Sequence, residues 1–341
     1  MRLKTILDKA AAVLCGLLVL MLGAGNAFGA TEMFTYEDMV FSMQVAAAFY
    51  PEETELRDLG ETVDGRKLLC LRVGKKDTRR NILVFGAIHA REYITAELVT
   101  DLAQEYCFVY HSGTASYKGL SLQELTNDTS VYFIPMVNPD GVAISQYGIS
   151  GLWKDDVKRR VYQIFELDQP VEADTYLTKW KSNAEGIDLN RQFDAEWAQY
   201  NDRVGHPSSD HYKGTAPGTA AEAKALIDLT ESESFSRTIG YHTQGQVIYW
   251  CYGQQGTLLQ ENKEFAEAIA SVTGYRMDTE NEQPDPAGYK DWALSRKGIP
   301  SLTIEVGRGA NPLPQEQISA IWQENRMVVY ETLYNNYLAR N

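Results

Sequence analysis

Residues 81–92 read Asn-Ile-Leu-Val-Phe-Gly-Ala-Ile-His-Ala-Arg-Glu, and no other stretch restricts the fold as much. Ile82 to Phe85 is continuously apolar where a half-exposed strand would alternate, which predicts a strand covered on both faces. Gly86 and Ala87 leave room for close approach, and the helix-forming run that starts at Tyr93 places His89 and Glu92 at a strand-to-helix junction. Three residues apart in a helical turn, an imidazole and a carboxylate share one side and can grip one metal ion, usually zinc. Alone the pair is a weak signal, more often a capped helix start with a solvated ion pair.

The rest of the chain supplies partners. Residues 36–50 carry Met39, Phe41, Met43, Val45, Ala46 and Phe49 at helical spacing, and Pro51 closes them. Residues 68–73 read as a first strand, 81–87 as the next, followed by a helix to about Tyr106 and a loop over 112–118. Residues 131–136 form another buried strand, ending in the turn signal Asn138-Pro-Asp-Gly141. From Val142 to Lys179 charges and aromatics mix without period, which predicts a long surface excursion. Residues 219–229, 258–272 and 314–337 are helical, 237–242 and 247–251 are strands, and 301–305 is a strand ending on Glu305. Strands alternating with helices predict an α/β fold: one domain, with a mixed, mostly parallel twisted sheet and helices on both faces. Ligands of such sheets gather beyond the strand ends, so His89, His242 and Glu305 are expected to converge.

Arg2, Lys4 and Lys9 precede an apolar core from Ala10 to Leu22, and small residues follow to Ala30. This is the layout of a secretory signal peptide over residues 1–30, with cleavage after Ala27, Gly29 or Ala30; an uncleaved anchor is the alternative. Residues 31–341 are then the mature catalytic unit, an extracytoplasmic monomer without a stable membrane span, secreted without a pro-domain. Cys70, Cys107 and Cys251 remain in it, an odd number at no metal-like spacing, which argues against a disulfide framework. The formal charge of −14 makes nucleic acid a poor partner.

Of five histidines, His111, His206 and His211 lie in polar loops, whereas His242 ends an apolar strand. Together, His89-Ala-Arg-Glu92, Asn138-Pro-Asp-Gly141, Gly186-Ile-Asp-Leu-Asn-Arg191, Tyr241-His-Thr243 and Thr303-Ile-Glu305 resemble the zinc carboxypeptidases, in family order. The resemblance implies one zinc ion per chain on His89, Glu92 and His242, with Glu305 as general base and then acid. It further implies that Asn190 and Arg191 hold a substrate carboxylate, where a planar guanidinium fork suits a bidentate grip. Arg91 would be a subsidiary substrate contact.

Two departures matter. The family's oxyanion arginine is replaced by a lysine, with Lys181 in Trp180-Lys181 the candidate and Lys154 in Trp153-Lys154 the competitor. No tyrosine lies between Tyr275 and Gly288, where the animal enzymes carry a mobile one. Tyr241 to Trp250, Gly288-Tyr-Lys-Asp-Trp292 and Ile304 to Pro314 resemble instead a bacterial branch that cleaves γ-D-glutamyl-diaminopimelate bonds in cell-wall peptides. In that register Lys290 faces the pocket of the released residue, where its charge would suit a distal carboxylate. The alternatives are a general secreted carboxypeptidase, its basic pocket favouring C-terminal acidic residues, and an inactive binding module of the same fold.

Overall fold

The computed structural model describes residues 33–279 and 286–340. The expected signal segment lies outside the described residues. One sheet of eight strands organises them: β1 (Thr54–Glu61), β2 (Lys67–Val73), β3 (Asn81–Phe85), β6 (Val131–Ile134), β7 (Phe235–Thr243), β8 (Val247–Tyr249), β9 (Arg276–Met277) and β10 (Ser301–Val306). Their order across the sheet is β1-β2-β6-β3-β7-β10-β8-β9. The four central strands β6, β3, β7 and β10 run parallel, and antiparallel pairs at β1/β2, β2/β6 and β10/β8 flank them. A separate two-stranded hairpin, β4 (Ser116–Tyr117) with β5 (Leu120–Ser121), occupies the stretch expected to be loop.

Strand periodicity sorts the side chains. Ile82 and Val84 face one core with Leu71, Val131, Ile239 and Leu302, and Leu83 and Phe85 face a second with Cys70, Tyr132 and Ile134. Helices α1 (Tyr36–Phe49) and α2 (Ile94–Ser112) cover the first core, together with α6 (Gly256–Thr273), α7 (Ile318–Asn325) and α8 (Val328–Leu338). Helix α5 (Ala221–Ser232), the segment from Leu189 to Phe193 and the short helix Tyr289–Trp292 cover the other. Close packing needs two glycines: a Cβ on Gly240 would lie 2.6 Å from the Phe85 ring, and one on Gly86 would lie 2.7 Å from the Thr95 carbonyl oxygen.

The structure corrects several expectations. β1 precedes the strand expected to be first, and its run Thr-Glu-Leu-Arg-Asp-Leu-Gly-Glu is polar because it is an edge. Asn138-Pro-Asp-Gly141 starts helix α3 (Pro139–Tyr147): Asn138 Oδ1 accepts from Gly141 N at 3.0 Å, and Pro139 takes the first turn, where no donor is needed. The expected excursion after Val142 contains α4 (Asp155–Asp168), whose Val157, Val161 and Ile164 form a narrow apolar stripe packed with Trp180 in a satellite core. Near the C-terminus, one expected helix is two, divided after Asn325, whose buried amide donates to Tyr275 Oη at 3.0 Å and the Ile321 carbonyl at 2.8 Å. Cys70, Cys107 and Cys251 are free thiols, and burial pushes the first two up to about 12.

Candidate active site

Parallel strands end on the same edge of a sheet, and the β7/β10 register sets His242 directly beside Glu305. His89 arrives from the neighbouring strand β3 through a tight exit. Ala87 adopts a left-handed φ of 48°, its N–H donates to Thr95 Oγ1 at 2.8 Å, and Asn138 binds the Ile88 and Ser182 carbonyls at 3.2 and 3.1 Å. Glu92 follows in a single 3-10 turn, Ala90–Glu92.

The expected ligands meet. His89 Nδ1 lies 2.9 Å from Glu92 Oε1, His242 Nδ1 lies 3.0 Å from Glu92 Oε2, and the two Nδ1 atoms are 3.1 Å apart. All three side chains are buried. Two imidazoles and a carboxylate offering lone pairs to one point lack a shared proton inventory that satisfies every contact, whereas one cation does. A tetrahedral ion with bonds of about 2.0–2.2 Å sets neighbouring ligand atoms roughly 3.3 Å apart, so the donor set fits zinc. Burial opposes the Glu92 charge, yet His89 and His242 hold its carboxyl well below the usual carboxylate range.

Glu305 is half-buried, with Oε2 shut away from solvent and without a hydrogen-bond partner. Burial, reinforced by Glu92, pushes its carboxyl up to about 8 against the pull of His242 and Lys181. Such a group is suited to exchange a proton near neutral pH. Behind the ligands runs a chain of alternating charge that the sequence did not announce. His89 Nε2 faces Asp188 Oδ1 at 3.4 Å, and Lys181 Nζ sits between Asp188 at 2.9 Å and Asp210 at 3.0 Å. Asp210 in turn meets Arg91 at 3.3 Å. Burial works against the charge of Asp188, but Lys181 and His89 hold its carboxyl well below the ordinary range. Asp188, Asp210 and His211 also converge, and the Lys181 ammonium already stands between the two carboxylates.

Lys181 is therefore at the site and its competitor is not: Lys154 Nζ donates to the Val63 carbonyl at 2.8 Å. Arg191 is buried, with its guanidinium 4.9 Å from the centre of the Tyr200 ring, and Asn190 Oδ1 accepts from Tyr289 N at 3.0 Å. Lys290 is neither free nor solvated. Its side chain is 12% exposed, and its ammonium donates to Asp291 Oδ1 at 2.5 Å and the Cys251 carbonyl at 3.1 Å. The motif around Asn190 contained Asp188, but nothing in a polar loop singled out Asp210.

A family model for zinc carboxypeptidase matches residues 39–328. The chain belongs to the zinc carboxypeptidase family. It is 34% identical over 251 residues to γ-D-glutamyl-L-diamino acid endopeptidase 1 of Lysinibacillus sphaericus, covering 73% of this chain and 60% of that protein. It is 29% identical over 243 residues to an inactive metallocarboxypeptidase of Arthroderma otae, covering 67% of this chain and 36% of that one. The match thus spans less than two thirds of either relative. The fold is that of carboxypeptidase A from Helicoverpa armigera, with a TM-score of 0.69 at 15% identity over 96% of this chain and 81% of that one.

Proposed function

We propose that the chain is a secreted, zinc-dependent peptidase that cleaves the amide bond between γ-D-glutamate and diaminopimelate in cell-wall peptides. His89, Glu92 and His242 hold the ion; when bound, zinc lowers the pKa of water to roughly 7 and polarises a carbonyl. Glu305 takes the proton of the attacking water at its enclosed carboxylate and passes it to the leaving amine. Lys181, fixed between two carboxylates, donates its remaining N–H toward the developing oxyanion, as a point charge and not a fork. Asn190 and Arg191 hold the α-carboxylate of the released residue, with Arg91 contacting the acyl side. Residues 1–30 direct export.

The observation that carries this reading is the cation of Lys290, nearly sealed and one residue from the Tyr289–Asn190 hydrogen bond, in a chain that retains His89, Glu92, His242 and Glu305 together. The activity printed for the Lysinibacillus relative supports the same bond. Retention of all four side chains argues against an inactive module. The Asp291 partner of Lys290 favours one second reading, a carboxypeptidase without acid selectivity. Incubation of the zinc-loaded protein with L-Ala-γ-D-Glu-diaminopimelate, beside peptides ending in Glu, Leu and Lys, separates the two by mass spectrometry of the products. Preferential release of diaminopimelate is expected; equal or faster release of leucine supports the second reading.

A further inference from the structure

Arg308 lies in the loop that leaves β10, three residues beyond Glu305. Gly245 N donates to the Gly307 carbonyl at 3.0 Å, which joins this loop to the one that leaves β7 after His242. A fully extended chain advances at most about 3.6 Å per residue, so the Arg308 Cα stands within roughly 11 Å of that of Glu305. The backbone of Arg308 is clamped by one amide: its N–H donates to Gln317 Oε1 at 3.0 Å, and its carbonyl accepts from Gln317 Nε2 at 2.7 Å. The side chain is exposed and anchored at Nε, which donates to Gln246 Oε1. Gln246 is itself fixed, because its Nε2 donates to Glu324 Oε1 at 2.7 Å, while Glu324 Oε2 accepts from Tyr275 Oη at 2.6 Å. Among the described residues no carboxylate pairs with Arg308, and neither of its Nη atoms has a hydrogen-bond partner. A guanidinium held at Nε with both Nη donors free is a fork for a planar anion.

Packing decides which side of the site this fork serves. Asn190 and Lys290 sit on elements that cover the second core, through Leu189, Tyr289 and Trp292. The Arg308 loop is tied instead to elements that cover the first core: Gln317 and Glu324 flank and belong to α7, and a Cβ on Gly307 would run into Leu313 and Ile321. The ends of β7 and β10, with His242 and Glu305, lie between the two walls. A substrate whose released residue meets Asn190 therefore turns its acyl side toward Arg308. Arg91, the other cation of that side, is already engaged, with one Nη on the Lys179 carbonyl at 3.1 Å and the other on Asp210 at 3.3 Å. A γ-glutamyl amide carries a distinctive group on its acyl side, the free α-carboxylate at the far end of the glutamate carbons.

Resting on the peptidase reading above, we propose that Arg308 is a specificity-determining residue that grips this α-carboxylate through its two Nη donors and so selects acyl groups that carry one. The contact is exposed, so it is screened by salt. Gln246 and Gln317 act through Arg308, by holding its Nε and its backbone, and touch no substrate atom themselves.

The test uses two peptides that differ only in that group: L-Ala-γ-D-Glu-diaminopimelate and its α-carboxamide, L-Ala-γ-D-isoglutaminyl-diaminopimelate. They are compared by kcat/KM on the zinc-loaded full chain, and by calorimetry on zinc-loaded Glu305→Gln, which reads binding without turnover. The carboxylate is expected to be favoured about three- to tenfold in both readouts, the range of an exposed charge-assisted contact, and the preference to shrink at high salt. Arg308→Gln is expected to bring the ratio to about one, and Arg308→Lys, which keeps the charge and loses the fork, to retain part of it. Each ratio compares two substrates on one protein, so general damage to the fold cancels. An unchanged ratio in Arg308→Gln overturns the inference, as does a ratio that Arg91→Gln abolishes and Arg308→Gln does not. Hydrolysis of both peptides at equal rates also overturns it and leaves the peptidase reading standing. Hydrolysis of neither, with a calorimetric preference for the carboxylate that Arg308→Gln removes, defeats the peptidase reading and keeps Arg308 as the carboxylate contact. Binding of neither peptide defeats both.

Discussion

At the scale of single residues, the site holds two carboxylates in opposite surroundings. Glu305 lacks a hydrogen-bond partner for Oε2, while Glu92, a carboxylate on the neighbouring wall, is fixed by both imidazoles. Burial raises the Glu305 carboxyl to about 8, whereas the Glu92 carboxyl falls below the usual range because His89 and His242, at 2.9 and 3.0 Å, outweigh its desolvation. Glu305→Gln keeps shape and removes the base, so kcat is expected to fall by on the order of 10² or more while zinc content and KM stay near their original values. Single-turnover kinetics with metal analysis check this; near-normal turnover would assign the proton transfer to another group.

At the scale of elements, legibility in the sequence followed burial. The strands carrying His89, His242 and Glu305 are covered on both faces, so their apolar runs stood out and their ends could be placed. Edge strand β1 and helix α4 escaped notice because each buries a thin stripe among charges, and the break after Asn325 has no proline or glycine to mark it. Asp210 joins the site only through tertiary contacts with Lys181 and Arg91, which no local pattern encodes. Helix α2 carries a cost of the same burial. Glu97 is 8% exposed, and burial pushes its carboxyl up to about 7 although the Gln315 amide donates to it. Its folded pKa exceeds the unfolded value of about 4.3, so the protonated form favours folding. That contribution is complete below about pH 4 and is lost as the pH rises through about 7. Glu97→Gln is therefore expected to stabilise the protein by on the order of 1–3 kcal/mol at pH 8 and much less at pH 5. Urea unfolding at both pH values checks the sign; an equal gain at the two would exclude ionisation as the cause.

At the scale of the whole molecule, a parallel four-strand centre does most of the positioning. It brings residues more than two hundred positions apart to one sheet edge, and the antiparallel strands outside it close the two flanks without adding ligands. No helix among the described residues is long and apolar enough to cross a membrane. The net charge of −14 is not concentrated behind the ligands, where Lys181 stands between Asp188 and Asp210 and Arg91 pairs with Asp210. The working centre we propose is one zinc ion on His89, Glu92 and His242. It is tested most directly by measuring zinc stoichiometry and peptide hydrolysis on the same samples, before chelation, after it and after zinc is restored, for the unaltered chain and for His242→Ala. One zinc per chain is expected, with activity lost and regained in step with it and binding greatly weakened in the variant. Full hydrolysis by metal-free protein, or one tightly held zinc in His242→Ala, would contradict it.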